Sequence, residues 1–170
     1  DVLVKQSILL AQYGADIVAP SDMMDGRIGM IRDELEKHQF KDTLILSYAA
    51  KYSSGMYSPF RDAVGSSKNL KTDKKTYQMN IFNSDEAIRE ASMDIREGAD
   101  MIMVKPGISY LDIIYRIKNE LKCPTFAYQV SGEYSLIKFG AKQGVIDEKT
   151  TVMEQLSSFK RAGADAIITY

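Results

Sequence analysis

Two lysines stand where apolar runs end: Lys51 closes TLILSYAAK, and Lys105 closes MIMVK ahead of Pro106. Burying an unpaired ammonium is costly, so a lysine at the end of a buried strand either emerges into solvent or belongs to a site. Taken singly, each lysine leaves both readings open. Two of them at neighbouring strand ends favour a site, because apolar walls and a second cation both disfavour the charged form and free a neutral amine. A neutral lysine amine attacks ketones and forms a Schiff base. Pro106 adds rigidity beyond Lys105, since it has no N–H and cannot extend a strand ladder. These residue types point to Schiff-base chemistry without naming a substrate.

Further groups fall at the ends of other apolar runs: Ser21 and Asp22, Ser131, and Tyr170. Ser131 and Tyr170 offer neutral hydroxyl donors suited to a carboxylate. Arg61, Lys71, Lys74 and Lys75 form a cationic cluster in an otherwise neutral chain. It reads as a solvated loop or as a carboxylate clamp, a task for which the arginine fork is well shaped. Asp22 and Asp25 in SDMMDG are expected to order the turn into the next helix rather than to hold a metal. Glu86, Glu90, Asp94 and Glu97 share one helical face, expected to be solvated, and His38 sits in a charged helix tail. With one His and one Cys (Cys123), no Cys/His zinc site can be assembled. Met23 and Met24 read as packing residues.

The elements that must position these groups alternate. Apolar runs at 15–20, 43–50, 101–104, 125–130 and 166–170 are rich in Ile, Val, Leu and aromatic residues, as strands of a buried parallel sheet are. Segments of helical period lie between them at 28–38, 84–97 (with Ser84 as N-cap), 110–121, 133–143 and 149–162. Gly-Ala-Asp recurs at 14–16, 98–100 and 163–165, each time where a helix gives way to a strand. There Gly serves as the helix-terminating residue and Asp stands at the strand's entrance, a feature of the fold rather than of a site. Repeated βα units suit a barrel or an open doubly wound sheet, and no GxGxxG follows any strand. About five units make most of an eight-stranded barrel but cannot close one. Residues 52–83, directly after the first lysine-tipped strand, lack a convincing strand or long helix and read as an active-site lid.

Composition sets the outer bounds. At 170 residues, with 45% apolar and 26% charged residues, the chain can build one core. A net charge of −1 offers no general basic field for nucleic acid or anionic lipid. No apolar run reaches membrane-spanning length, and DVLVKQSILL does not read as a signal peptide. A single cysteine suits a reducing, cytoplasmic compartment. The chain begins without Met and stops after an apolar run, so it is expected to be one partial barrel domain over 1–170.

VAPSDMMDGRIG (18–29), SYAAKYSSGMYSPFRDA (47–63), MVKPG (103–107), YQVSGEY (128–134) and RAGADAIITY (161–170) together resemble the porphobilinogen synthase (5-aminolevulinate dehydratase) family. The resemblance implies a (βα)8 TIM barrel represented by its later units, with the first strands and an N-terminal arm outside the chain. It implies a hydro-lyase of tetrapyrrole (haem) biosynthesis that joins two 5-aminolevulinate molecules. Lys105 matches the lysine forming the imine with the second substrate, and Lys51 the lysine forming it with the first. Arg61, Lys74 and Gln78 match lid positions that hold one carboxylate, although many relatives carry arginine at position 74. Ser131 and Tyr170 match the hydroxyls that bind the other carboxylate. Tyr128 and Phe60 match rings that wall the pocket, and Ser21 and Asp22 match polar residues at its floor. Glu90 matches the ligand of an allosteric magnesium found in some members, and a hard carboxylate with waters suits that ion. Ligands of the catalytic zinc present in other members would lie upstream of this chain. A homo-octamer is the assembly implied. Competing expectations are an aldolase-type Schiff-base barrel, which needs only one essential lysine, and a non-catalytic relative or inactive fragment that binds ligand or partners.

Overall fold

The computed structural model describes residues 2–63, 65 and 76–170, with the side chains of Arg61 and Asp62 outside the description. The order is α1 (Val2–Gln12), β1 (Ile17–Val18), α2 (Arg27–Lys37), β2 (Leu44–Lys51), a 3-10 turn (Gly55–Tyr57), α3 (Ser58–Ala63) and α4 (Asp85–Glu97). There follow β3 (Met101–Lys105), a second 3-10 turn (Ile108–Tyr110), α5 (Leu111–Arg116) running into a π-helical turn (Ile117–Leu121), β4 (Thr125–Tyr128), α6 (Ser131–Lys142), α7 (Glu148–Ala162) and β5 (Ala166–Ile168). The five strands form one parallel sheet in sequence order. Sequential parallel pairing with helical crossovers is the build of a (βα)8 barrel, and five units make an open, curled part of one.

The core has two layers. The helices bury Leu35, Ile31, Ala87, Ala91, Ile114, Ile117 and Phe159 against one face of the sheet. The other face carries Leu46, Met101 and Met103, with Tyr48, Phe126, Tyr128 and Ile168 packed on them. In β3 the alternation is regular, so Met101, Met103 and Lys105 fall on this second face. In β2 it is interrupted. The pairing runs Ser47↔Ile102 and then Ala50↔Val104, an extra residue on β2. Ala49 and Ala50 both pack into the helix-side core, and the bulge carries Lys51 round to the face of Leu46 and Tyr48. Lys51 thereby pairs with Lys105 across the sheet.

The repeated Gly-Ala-Asp holds the strand entrances together. Gly14, Gly98 and Gly163 all have positive φ where a helix ends. The Asp100 carboxylate accepts from Ile45 N–H at 2.8 Å and that of Asp165 from Thr125 N–H at 2.7 Å, so each ties its own strand to the preceding one.

Two local expectations need correction. Ser84 makes no capping hydrogen bond to α4; the Asn83 side chain accepts from Asp85 and Glu86 N–H, and Ser84 Oγ accepts from Arg116. Nor is the acidic face of α4 simply solvated. Glu97 accepts from Gly26 and Gly29 N–H at 3.1 and 3.2 Å, capping α2, and Asp94 accepts from the Ser47 hydroxyl.

Candidate active site

Both lysines stand at the C-terminal rim of adjacent strands, where barrel enzymes gather their reactive groups. Lys51 Nζ donates to Ser21 Oγ at 3.2 Å and lies 5.6 Å from the centre of the Tyr48 ring. Lys105 Nζ lies 5.3 Å from the same ring centre, 3.9 Å from that of Tyr128 and 5.9 Å from that of Tyr57. Tyr48 is thus the wall shared by the two amines. Aromatic faces attract a cation when the amine is protonated and present an apolar surface when it is not. The main chain at Lys105 is held twice: its carbonyl accepts from Tyr52 N–H at 2.9 Å and from the Tyr57 hydroxyl at 3.0 Å.

The rings are not bases at neutral pH. Burial pushes the Tyr128 phenol up to about 12, reinforced by Tyr170 beside it, and burial likewise raises Tyr48. They remain protonated hydroxyls that can donate to an anionic ligand. Tyr170 tilts against Tyr134 with ring centres 5.5 Å apart. Ser131 opens α6, and its Oγ accepts from Phe60 N–H at 3.1 Å, so its own proton can be given to a carboxylate. Phe60 is half exposed.

The other predicted residues are placed differently. Gln78 is buried and lines a cavity of about 300 Å³ with Ser53, Asn80, Ile81 and Phe82. Its neighbour Met79 bridges to Tyr52, so both ends of the 52–83 connection belong to the core. Asp22 accepts from Met24 N–H and pairs with Arg27 at 3.4 Å, ordering the turn into α2. Glu90 is engaged by Arg89 at 3.1 Å and lines a narrow cleft with Asp22, Asp25 and Asp94. Among the described residues no group of three His, Cys, Asp or Glu side chains could hold a metal ion. Lys71, Lys74 and Lys75, and the Arg61 side chain, lie outside the described residues.

Sequence reasoning missed four contributors. Tyr48 and Tyr57 carry no motif of their own, and Tyr48 meets Lys51 only because of the bulge. Gln129 is buried between Thr169 Oγ1, which donates to it, and Gln155, to which it donates at 2.9 Å, so it joins the end of β4 to the end of β5. Glu133 is a buried carboxylate in the first turn of α6, a position whose only sequence signal is acidity near a helix start.

Sequentially paired parallel βα units with two lysine amines at adjacent strand ends define a class, the (βα)-barrel proteins that gather polar groups at the C-terminal rim. The comparisons narrow it. The family model for delta-aminolevulinic acid dehydratase matches residues 1–170, and the chain belongs to that family. It is 55% identical over 169 residues to the delta-aminolevulinic acid dehydratase of Bradyrhizobium diazoefficiens, covering 99% of this chain and 48% of that protein. Against the Rhodobacter capsulatus enzyme of the same name it is 54% identical, covering 100% of this chain and 51% of the other. A crystal structure of the Toxoplasma gondii ME49 enzyme with its reaction product porphobilinogen superposes with a TM-score of 0.94 at 56% identity, covering 98% of this chain and 47% of that one. The chain therefore spans about half the length of the relatives it matches.

Proposed function

We propose that this chain supplies the two-lysine half of a porphobilinogen synthase, a lyase that condenses two 5-aminolevulinate molecules to porphobilinogen with loss of two waters. The observation that carries the proposal is the side-by-side pairing of Lys51 with Lys105 at the strand ends, around one tyrosine ring. Each amine adds to a substrate ketone and expels water, leaving the two substrates anchored as imines. Anchoring converts their encounter into a reaction within one complex and removes much of its entropic barrier. Carbon–carbon and carbon–nitrogen bonds then form, and each lysine is released as its imine carbon is captured. A released amine is a candidate proton acceptor. Ser131 and Tyr170 would bind one carboxylate, and Arg61, Lys74 and Gln78 the other as residues 52–83 close over the site. Tyr128 and Phe60 would wall the pocket, with Ser21 and Asp22 at its floor.

Magnesium at Glu90 belongs to the same proposal. One hard carboxylate suits that ion when waters complete the shell, and binding would compete with the Arg89 contact. Such an ion would act on stability or assembly rather than on the reacting atoms. A homo-octamer in the cytoplasm completes the reading. Among the described residues, no helix is long and apolar enough to cross a membrane.

The test is to incubate the full-length protein with 5-aminolevulinate, trap with borohydride and map modified lysines by mass spectrometry. Adducts on both Lys51 and Lys105 are expected, with turnover abolished in Lys105→Ala while the fold is kept. An adduct on one lysine alone would support an aldolase-type scheme, and none at all would support a non-catalytic binding protein. Residues 1–170 alone are expected to be inactive.

A further inference from the structure

The strand ladder cannot hold the chain beyond Lys105. Pro106 has no N–H, the pairing of β3 with β4 runs to Val104, and the N–H groups of Gly107 and Ile108 take an acceptor outside the strands. They converge on one side chain from another element. Glu133 Oε1 accepts from Ile108 N–H at 2.6 Å, and Oε2 accepts from Gly107 N–H at 3.4 Å and from Val130 N–H at 2.7 Å. Glu133 is 1% exposed, so this carboxylate is taken out of water and compensated by main-chain donors. Burial raises its protonation tendency, and the N–H groups of Val130, Ile108, Gly107 and Ser109 oppose that. The carboxylate therefore joins the exit of β3, immediately after Lys105, to the start of α6, immediately before Ser131.

The surroundings allow little slack. A Cβ built on Gly107 would lie 2.4 Å from Phe159 Cε1 and 3.2 Å from the Tyr128 carbonyl oxygen. One built on Gly132 would lie 2.3 Å from the Met56 carbonyl oxygen. The loop after Lys105 is thus packed on the buried Phe159 ring and the start of the helix carrying Ser131 on the Met56 main chain, with Glu133 as the tie between them. Lys51 is held by other means, through its strand and through Met79 N–H on its carbonyl at 3.0 Å.

We propose that Glu133 is a positioning residue that sets the Lys105 amine relative to Ser131 for imine formation, an inference that rests on the Schiff-base reading. Its two oxygens must both accept. Glutamine at this site turns one of them into a donor facing an N–H, so at least one loop contact is lost while size is kept. Misplacing a reacting group by about 1 Å can slow a reaction on the order of a hundredfold.

The experiment uses full-length protein, timed borohydride trapping with 5-aminolevulinate, and separate quantification of the two lysine adducts. Glu133→Gln is expected to slow Lys105 labelling roughly tenfold to a hundredfold, with Lys51 labelling near its original rate. Lys51 is also the control for folding, since a merely structural role would slow both lysines together. Glu133→Asp, which keeps both acceptors on a shorter arm, should fall between. Unchanged Lys105 labelling in a folded variant, equal slowing of both lysines, or failure of both variants to fold would overturn the positioning role. Labelling of neither lysine in the unsubstituted protein would overturn the Schiff-base reading, and this inference with it.

Discussion

At the scale of the residue, the chain places its charged groups by what they can hydrogen-bond rather than by exposure. Asp94 shows this on the helix side of β2. It is partly buried, accepts from Ser47, and faces Glu97, Glu90 and Asp25. Burial is the main cause that pushes its carboxyl up to about 6, with the acidic neighbours adding to it and the Ser47 hydroxyl opposing. A carboxyl whose folded pKa lies above its unfolded value near 3.8 gives stability that is fully present below pH 4 and lost as pH rises through 6. Asp94→Asn keeps an acceptor for Ser47 and removes the charge. It should gain roughly 1–3 kcal/mol over the parent at pH 8 and little at pH 4. Paired urea titrations across that range check this, and a gain that does not change with pH would show that Asp94 does not titrate in this window.

At the scale of the element, α4 separates its acidic residues by task. Glu97 satisfies the first N–H groups of α2 from across the fold, although Gly26 at that helix's start supplies no side-chain cap. Glu86 lies at the helix's other end, where its carboxylate accepts from the Asn83 amide at 3.3 Å. Glu97→Ala should cost about 1 kcal/mol, as loss of a helix cap does, whereas Glu86→Ala should stay within about 0.5 kcal/mol. Chemical denaturation midpoints of the two variants make the comparison, and equal midpoints would return Glu97 to the solvated face expected from periodicity. That misreading has a physical source. Spacing along one helix shows which residues share a face, but it cannot show that a second helix presents unsatisfied N–H groups there. The strands and most helices were legible, because apolar runs and helical period record burial directly. The lysines were legible as a pair because each ends such a run. The bulge in β2 was not, since Ser47–Ala50 has the composition of an ordinary strand and only the pairing with β3 reveals the extra residue. Glu133 and Gln129 were hidden for the same reason: the Gly107 and Ile108 N–H groups that meet Glu133, and the Gln155 and Thr169 side chains that meet Gln129, lie far along the chain.

At the scale of the whole molecule, the sheet has two ends. β1 pairs only with β2, and β5 only with β4, so each leaves one side of its backbone without a strand among the described residues. A parallel barrel removes such edges by closing, and five strands with sequential pairing leave them open. The apolar second face, with Leu46, Met101 and Met103, is the one that closure would enclose. Tyr170 stands more than half exposed at the β5 end and Ile17 is exposed on β1, so each open edge also carries an apolar side chain. Unpaired N–H and C=O groups beside exposed apolar surface are a template for association with another chain. The 170-residue chain by itself is therefore expected to self-associate as concentration rises. Light scattering coupled to size-exclusion chromatography reads this as a mass that climbs above the 19.1 kDa of one chain. A constant single-chain mass over the same range, with the β1 and β5 amides protected from hydrogen exchange, would mean that the edges are covered from within, and the open-barrel account of this chain would have to be given up.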